Sequence, residues 1–377
     1  MLGNTTGRMF RVTACGESYG KALMIICDGV PPGIELSNES IQEEMDKRRP
    51  GTSPIDSPRL ETDKVDIVAG IRDGFTTGAP VGLIIYNVDR QDIHVEQYRQ
   101  VKDLVRPGHA EYTFFVKYGK FADWCGAGRA SGRESACRVA GGAVARKILE
   151  KEGIQVIAYT KELMDIKMRD DLSFEEKQGK RHNNDIRCPD EDAAEKMFAR
   201  CLEIKEEGDT AGGIIEIIAR GVPAGLGEPV FDKLEADLAK ALMSIGAVKG
   251  VEIGAGFGLT KMKGSQSNDI PYLEDGKVRF KTNRCGGFLG GISNGEDLVL
   301  RIAVKPTATI SIDQQTVNMK EMKEATLGAI TRRDPTICAR INPVAEAMTC
   351  ITILDHLMMF RGYKNVAKID NPWDADK

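Results

Sequence analysis

Residues 125 to 146 read Cys-Gly-Ala-Gly-Arg-Ala-Ser-Gly-Arg-Glu-Ser-Ala-Cys-Arg-Val-Ala-Gly-Gly-Ala-Val-Ala-Arg. The first half is a glycine-rich loop carrying Arg129 and Arg133. The second half is an Ala/Val-rich stretch whose small side chains predict a tightly packed helix that other backbone can approach closely. A helix that opens just after a Gly/Ser/Arg loop presents free N–H groups to an anion. The block therefore reads as the floor of a site for phosphate or a phosphorylated cofactor. The alternative is a buried small-residue helix behind a surface loop. A dinucleotide fingerprint fits badly: Gly126, Gly128 and Ser131 give G-x-G-x-x-S, and the preceding Lys-Tyr-Gly-Lys-Phe-Ala-Asp-Trp is not a buried strand.

The rest of the chain supports a soluble globular protein. At 377 residues, with 41% hydrophobic and 29% charged residues, it can bury a large core. A net charge of −4 gives no argument for nucleic acid or an anionic membrane. Yet arginines recur beside glycine and proline, at Arg48-Arg49-Pro50-Gly51, Arg106-Pro107-Gly108, Arg129, Arg133, Arg284 and Arg332-Arg333. Basic turns in a mildly acidic chain point to a local anion site. Nine cysteines without a C-x-x-C pair argue against a disulfide framework and a zinc ribbon, and imply reduced thiols in the cytoplasm. The four histidines have no metal-ligand spacing. No signal-peptide pattern opens the chain, and no apolar run approaches membrane-spanning length.

Periodicity predicts strands at 8–13, 22–28, 65–71, 81–87, near 154–160, at 212–219 and at 298–304. It predicts helices from Ser37 or Asn38 to about Arg48, a short one within 93–105, then 191–207, 231–244 and 343–360. Residues 161–192 are highly charged and read as a solvated excursion. No fixed-period repeat and no Pro/Ser linker divides the chain. Glycine-rich loops along the whole length predict one site built by one domain over residues 1–364, with a frayed tail at 365–377.

Several distant blocks have the composition of site loops: Gly16-Glu-Ser-Tyr-Gly20, Arg106-Pro-Gly-His109, Gly128-Arg-Ala-Ser131, Gly290-Gly-Ile-Ser, Lys305-Pro-Thr-Ala-Thr309 and Arg332-Arg-Asp334-Pro. Spacing alone suggests an anion site and names no reaction. The order and wording of these blocks, with Asp28-Gly-Val-Pro-Pro-Gly33, Arg48-Arg-Pro-Gly51, Gly225-Leu-Gly-Glu-Pro-Val-Phe-Asp232 and Met243-Ser-Ile-Gly-Ala-Val-Lys-Gly, resemble the chorismate synthase family from about residue 3 to 360. The resemblance implies an α+β fold, a single-domain β-α-β sandwich. It also implies a cytoplasmic homotetramer and a 1,4-elimination of phosphate from 5-enolpyruvylshikimate 3-phosphate. That reaction needs reduced FMN, with NADPH as an implied source of flavin electrons.

Carried over position by position, the resemblance places flavin-binding residues at Arg129, Ala130, Ser131, Gly246, Ala247, Gly290, Lys305, Pro306, Thr307, Ala308, Thr309 and Arg332. It assigns Arg48, with Arg106 and Arg133, to the substrate. It makes His109 a handler of the flavin's proton and Asp334 a relay for the abstracted ring proton. Each choice suits its chemistry. Arginine binds phosphate and carboxylate bidentately, and histidine is the side chain that titrates near neutrality. A plain Arg–Asp pair holding the loop is the alternative for Asp334.

The departures from the family pattern lie in the site. Tyr19 stands where the family has a histidine thought to assist the leaving phosphate. Tyrosine has a reference pKa of about 10 against about 6.5 for histidine, so it donates a hydrogen bond but is a poor acid. Pro54 replaces a basic residue, with Arg59 kept nearby; Gly246 replaces an asparagine, Ala130 a serine and Arg333 a histidine. Three readings stay open: Arg333 compensates for the cation lost at 19, the substrate has diverged, or the chain is a non-catalytic flavin binder.

Overall fold

The computed structural model describes residues 3–51, 53–56, 61–89, 92–329 and 334–367. Two five-stranded antiparallel sheets enclose a layer of helices. The first sheet runs Thr5–Thr6, Arg11–Cys15, Ala22–Asp28, Val81–Tyr86, Val65–Ala69 in spatial order. Its strands alternate: Leu23, Ile25 and Cys27 are buried while Met24 and Ile26 face outward, as a sheet covered on one side requires. The second sheet runs Val248–Ile253, Leu298–Val304, Gly213–Arg220, Gln155–Leu163, Ile166–Lys167.

Helix Ser135–Lys151 and the terminal helix Cys338–Ala367 pack against each other inside the sandwich. The Gly141-Gly142 pair explains how the layer stays thin. A Cβ on Gly141 would lie 2.9 Å from Val12 Cγ1 of the first sheet. A Cβ on Gly142 would lie 2.5 Å from Ala347 Cα of the terminal helix. Each glycine costs the helix about 1 kcal/mol of propensity, offset by the burial that such close contact allows. Buried apolar side chains from both sheets and the helices form one continuous cluster. The α+β sandwich expected from the resemblance is therefore the architecture found.

Most predicted elements form where the pattern put them. Helix Asn38–Arg48 is capped by Ser37, whose side chain accepts from Ser40 N. Helix Glu191–Glu207 and strand Leu298–Val304 have the predicted ends. Four expectations need correction. Residues 161–192 are not a solvated excursion: Met168, Leu172, Phe174, Ile186 and Cys188 are buried. Thr160 N donates to the Arg187 carbonyl, and Thr160 Oγ1 donates to the Ile186 carbonyl at 2.7 Å. The segment's charges find partners far away in sequence, such as Glu346, which lies 3.6 Å from Arg181 Nε.

The terminal helix is longer than predicted. It opens at Cys338 and passes through Pro343, which leaves only the Ala339 carbonyl without its usual helical donor. By length and composition Cys338–Val366 could cross a membrane, contrary to the sequence reading, but 78% of its most apolar window is buried inside the protein. It is the core helix of the sandwich. Residues 365–367, expected in a frayed tail, belong to this helix, and 368–377 lie outside the described residues.

Candidate active site

Two clusters and a bridge between them bring together many of the predicted site residues. The first cluster forms where the loop before helix Glu111–Tyr118 meets the loop after strand Leu298–Val304. Arg106 donates from Nη1 to Thr309 Oγ1 at 3.0 Å and from Nε to Glu111 Oε1 at 3.1 Å. His109 Nδ1 lies 3.1 Å from Glu111 Oε2. Lys305 Nζ donates to the Gly108 carbonyl at 2.9 Å, and Lys305 N donates to the Ala247 carbonyl at 2.9 Å. The Ala247 backbone is left-handed, with φ 70°. Ala308 lies against Gly108, and Pro306 against Gly212.

Glu111 is the anchor of this cluster, and the sequence reading did not single it out. Burial works to raise its carboxyl, but the His109 hydrogen bond and the Arg106 charge outweigh that and hold it at about 2. A carboxylate with a depressed folded pKa stabilises the protein above its unfolded pKa, and that contribution is lost as pH falls through the folded value. From an ordinary 4.5 to about 2, the contribution is on the order of 3 kcal/mol. Glu111→Gln is therefore expected to be less stable than the parent at neutral pH. The gap should close between about pH 4.5 and pH 2. Urea unfolding of both proteins across that range checks this; a gap that does not change with pH would refute it.

The second cluster is buried. Arg48 and Arg133, each only 3% exposed, both pair with Asp63. Arg48 Nε also donates to Ser135 Oγ at 3.0 Å. Arg133 Nε donates to Asn87 Oδ1 at 2.8 Å. Arg133 Nη2 lies 3.5 Å from Glu61 Oε2 and is a buried donor without a hydrogen bond. Burial alone would raise the Asp63 carboxyl; the Arg48 and Arg133 guanidiniums prevail and hold it below the usual carboxylate range.

Asp334 and Arg340 bridge the two clusters. Arg340 Nη1 donates to both Asp334 carboxylate oxygens, at 3.0 and 3.1 Å, and Arg340 Nε reaches the Arg48 carbonyl at 3.4 Å. On the other side Thr307 Oγ1 donates to the Asp334 carbonyl at 3.3 Å. Thr210 Oγ1 holds the same loop through the Thr307 carbonyl at 2.9 Å.

The stretch 125–131 sits beside Tyr19 and differs from the expected helix opening. Gly126, Ala127 and Gly128 all have positive φ, and a short 3₁₀ turn precedes the helix, which starts at Ser135. Arg133 N donates to Ser131 Oγ and Glu134 N to the Ser131 carbonyl, so these N–H groups are already satisfied. A Cβ on Gly126 would lie 2.5 Å from the Tyr19 ring, which explains the glycine. Ala130 lies in the same turn. Arg129 donates to the Gly16 carbonyl, to the Ala14 carbonyl and to Asn4 Oδ1, and so ties down the strand that leads into the Tyr19 loop. A cavity of about 400 Å³ opens here, lined by Glu17, Tyr19, Arg99, Asp123, Trp124 and Cys125.

Two predicted positions stand apart, and three named positions lie outside the described residues. Gly246 and Gly290 are open: an added Cβ would meet nothing within 4 Å at either. Gly290 lies in the hairpin Phe288–Leu289/Ile292–Ser293, and Gly291 O of that hairpin accepts from Leu234 N. Arg59, Arg332 and Arg333 lie outside the described residues. Lys205 Nζ donates to the Pro54 carbonyl at 2.6 Å, so a cation does reach the loop in which the family's basic residue is missing. Sequence reading missed Asp63, Asn87, Glu111, Thr210 and Arg340. None sits in a glycine-rich block, and each acts through a partner distant in the chain or, for Glu111 and Arg340, a few residues away.

Two sheets around a helical layer, with a polar site rich in arginine and carboxylate, define an α+β sandwich of enzymatic character. A family model described as chorismate synthase matches residues 10–358. The chorismate synthase of Acetivibrio thermocellus is 56% identical over 392 residues, covering 99% of this chain and 100% of the relative. That of Methanosarcina mazei is 48% identical over 358 residues, covering 95% and 97%. A crystal structure of chorismate synthase superposes with a TM-score of 0.73 at 29% identity, over 94% of this chain and 92% of the other. The chain belongs to the chorismate synthase family, whose members are lyases of the shikimate pathway.

Proposed function

We propose that this chain converts 5-enolpyruvylshikimate 3-phosphate to chorismate and phosphate with reduced FMN, as one domain that includes the whole terminal helix. We place it in the cytoplasm as a homotetramer. The observation that carries the reading is the connected run of site groups, from His109 and Arg106 through Thr309, Thr307, Asp334, Arg340, Arg48, Asp63, Arg133 and Asn87 to the Tyr19 loop.

The residues present fit a phosphorylated flavin. Lys305 and Arg106 supply cations, and Thr307 and Thr309 supply hydroxyls. When bound, reduced FMN supplies electron density to the allylic centre from which phosphate departs. The chain's own residues do the rest. Arg48 and Arg133 offer guanidinium forks matched to phosphate or carboxylate, and Arg133 Nη2 is a buried donor that an anion would satisfy. The Tyr19 hydroxyl donates a hydrogen bond to the leaving phosphate. Asp334, held by both oxygens on Arg340, accepts the ring proton. With Nδ1 facing Glu111, His109 has Nε2 left for proton exchange.

The test is anaerobic phosphate release from 5-enolpyruvylshikimate 3-phosphate with chemically reduced FMN, run beside Tyr19→His. Turnover by the unmodified chain is expected, with Tyr19→His faster by up to roughly 10²-fold if the acid limits the rate. Turnover only in Tyr19→His would mean a competent scaffold with a different natural substrate. Flavin binding without turnover in either protein would overturn the reading in favour of a binding role.

A further inference from the structure

We propose that Asn87 is a positioning residue that locks the Tyr19 loop and the Arg133 guanidinium into one unit; the inference rests on the function proposed above. Strand Val81–Tyr86 pairs with Ala22–Asp28, and the ladder continues one residue further through Asn87 N to the Lys21 carbonyl at 3.2 Å. The Asn87 backbone is therefore fixed by the sheet. Its side chain then makes three hydrogen bonds. Nδ2 donates to the Glu17 carbonyl at 3.0 Å and to the Gly20 carbonyl at 2.9 Å. Oδ1 accepts from Arg133 Nε at 2.8 Å.

Both ends of the Gly16–Gly20 turn thus hang from one amide, and Tyr19 lies between them. The same amide sets the direction of the Arg133 fork. With Nε taken by Asn87 and Nη1 by Asp63, the guanidinium plane is fixed and its hydrogen-bond-free Nη2 points in one direction only. An amide is the one neutral side-chain type that offers two donors and an acceptor at once. A carboxylate at this position would keep the contact to Arg133 and face two carbonyls with no donor.

The test compares the parent, Asn87→Ala and Asn87→Asp by anaerobic steady-state turnover with reduced FMN. Asn87→Ala releases both partners, and kcat/KM is expected to fall by roughly 10²-fold. Asn87→Asp keeps the Arg133 acceptor but frees the turn, so kcat should fall while KM stays within about threefold of the parent. A merely structural role predicts lower thermal stability and unchanged kinetics per folded molecule, and that result would overturn the proposal. If the parent itself does not turn over, the function reading fails and a second readout decides. In a Trp373→Phe background, emission from Trp124, which lines the Tyr19 cavity, should shift in Asn87→Ala; no shift would count against the positioning role.

Discussion

Asp63→Asn is expected to lower the free energy of unfolding by about 3–5 kcal/mol. Asp63 is fully buried and neutralises two arginines that are themselves buried. Taking away that single charge leaves two desolvated guanidiniums with Glu61, 3.5 Å from Arg133, as the remaining nearby carboxylate in the cluster. Asn is the informative substitution because the Asp63 backbone is left-handed, with φ 49°. Asparagine tolerates that conformation about as well as aspartate, so any loss is electrostatic rather than conformational. Urea unfolding at neutral pH measures it. A change below about 1 kcal/mol would mean that the arginines are neutralised in some other way.

Asp334→Asn is expected to lower kcat by roughly 10²–10⁴-fold with a small change in KM. The amide keeps an oxygen for Arg340 and so preserves the loop, but it cannot accept the ring proton. The substitution separates the two readings that the sequence leaves open for Asp334. If it only holds the loop against Arg340, Asn should retain most of the activity. Asp334→Ala, which also removes the acceptor, should then be the only damaging change. Single-turnover rates with reduced FMN distinguish the two patterns.

The fold was largely legible in the sequence because local patterns carried it. Ser37 announces its helix by capping chemistry, and Gly141-Gly142 announces close packing by the absence of side chains. What failed to show locally was anything decided by a distant partner. The charges of 161–192 look solvated until Glu346 and the Lys47 carbonyl are brought to Arg181 and Arg187. Pro343 reads as a helix start, although packing in the sandwich carries the helix one turn further back. The site divides in the same way. Its glycine and arginine loops stand out, but Asp63, Asn87 and Arg340, which aim the recognisable residues, have ordinary neighbours and become visible only through their contacts. Arg129, singled out as a ligand-binding residue, has its guanidinium engaged with the strand beneath the Tyr19 turn.

The terminal helix has a consequence for how the chain reaches this structure. Its Asp355 accepts hydrogen bonds from three successive backbone N–H groups near the other end of the chain, those of Arg8, Met9 and Phe10, at 2.8, 2.6 and 3.0 Å. It also packs on the Ser135–Lys151 helix and on strand Gln155–Leu163. This helix, which follows both sheets in the chain, is thus the one that packs against the second sheet and fastens the segment before the first sheet's second strand. Contacts of such long sequence separation form slowly. Until residue 338 and beyond are synthesised, the second sheet and the Ser135–Lys151 helix lack their cover and remain open to chaperones or to aggregation. Folding of the sandwich thus waits on the helix that opens at Cys338.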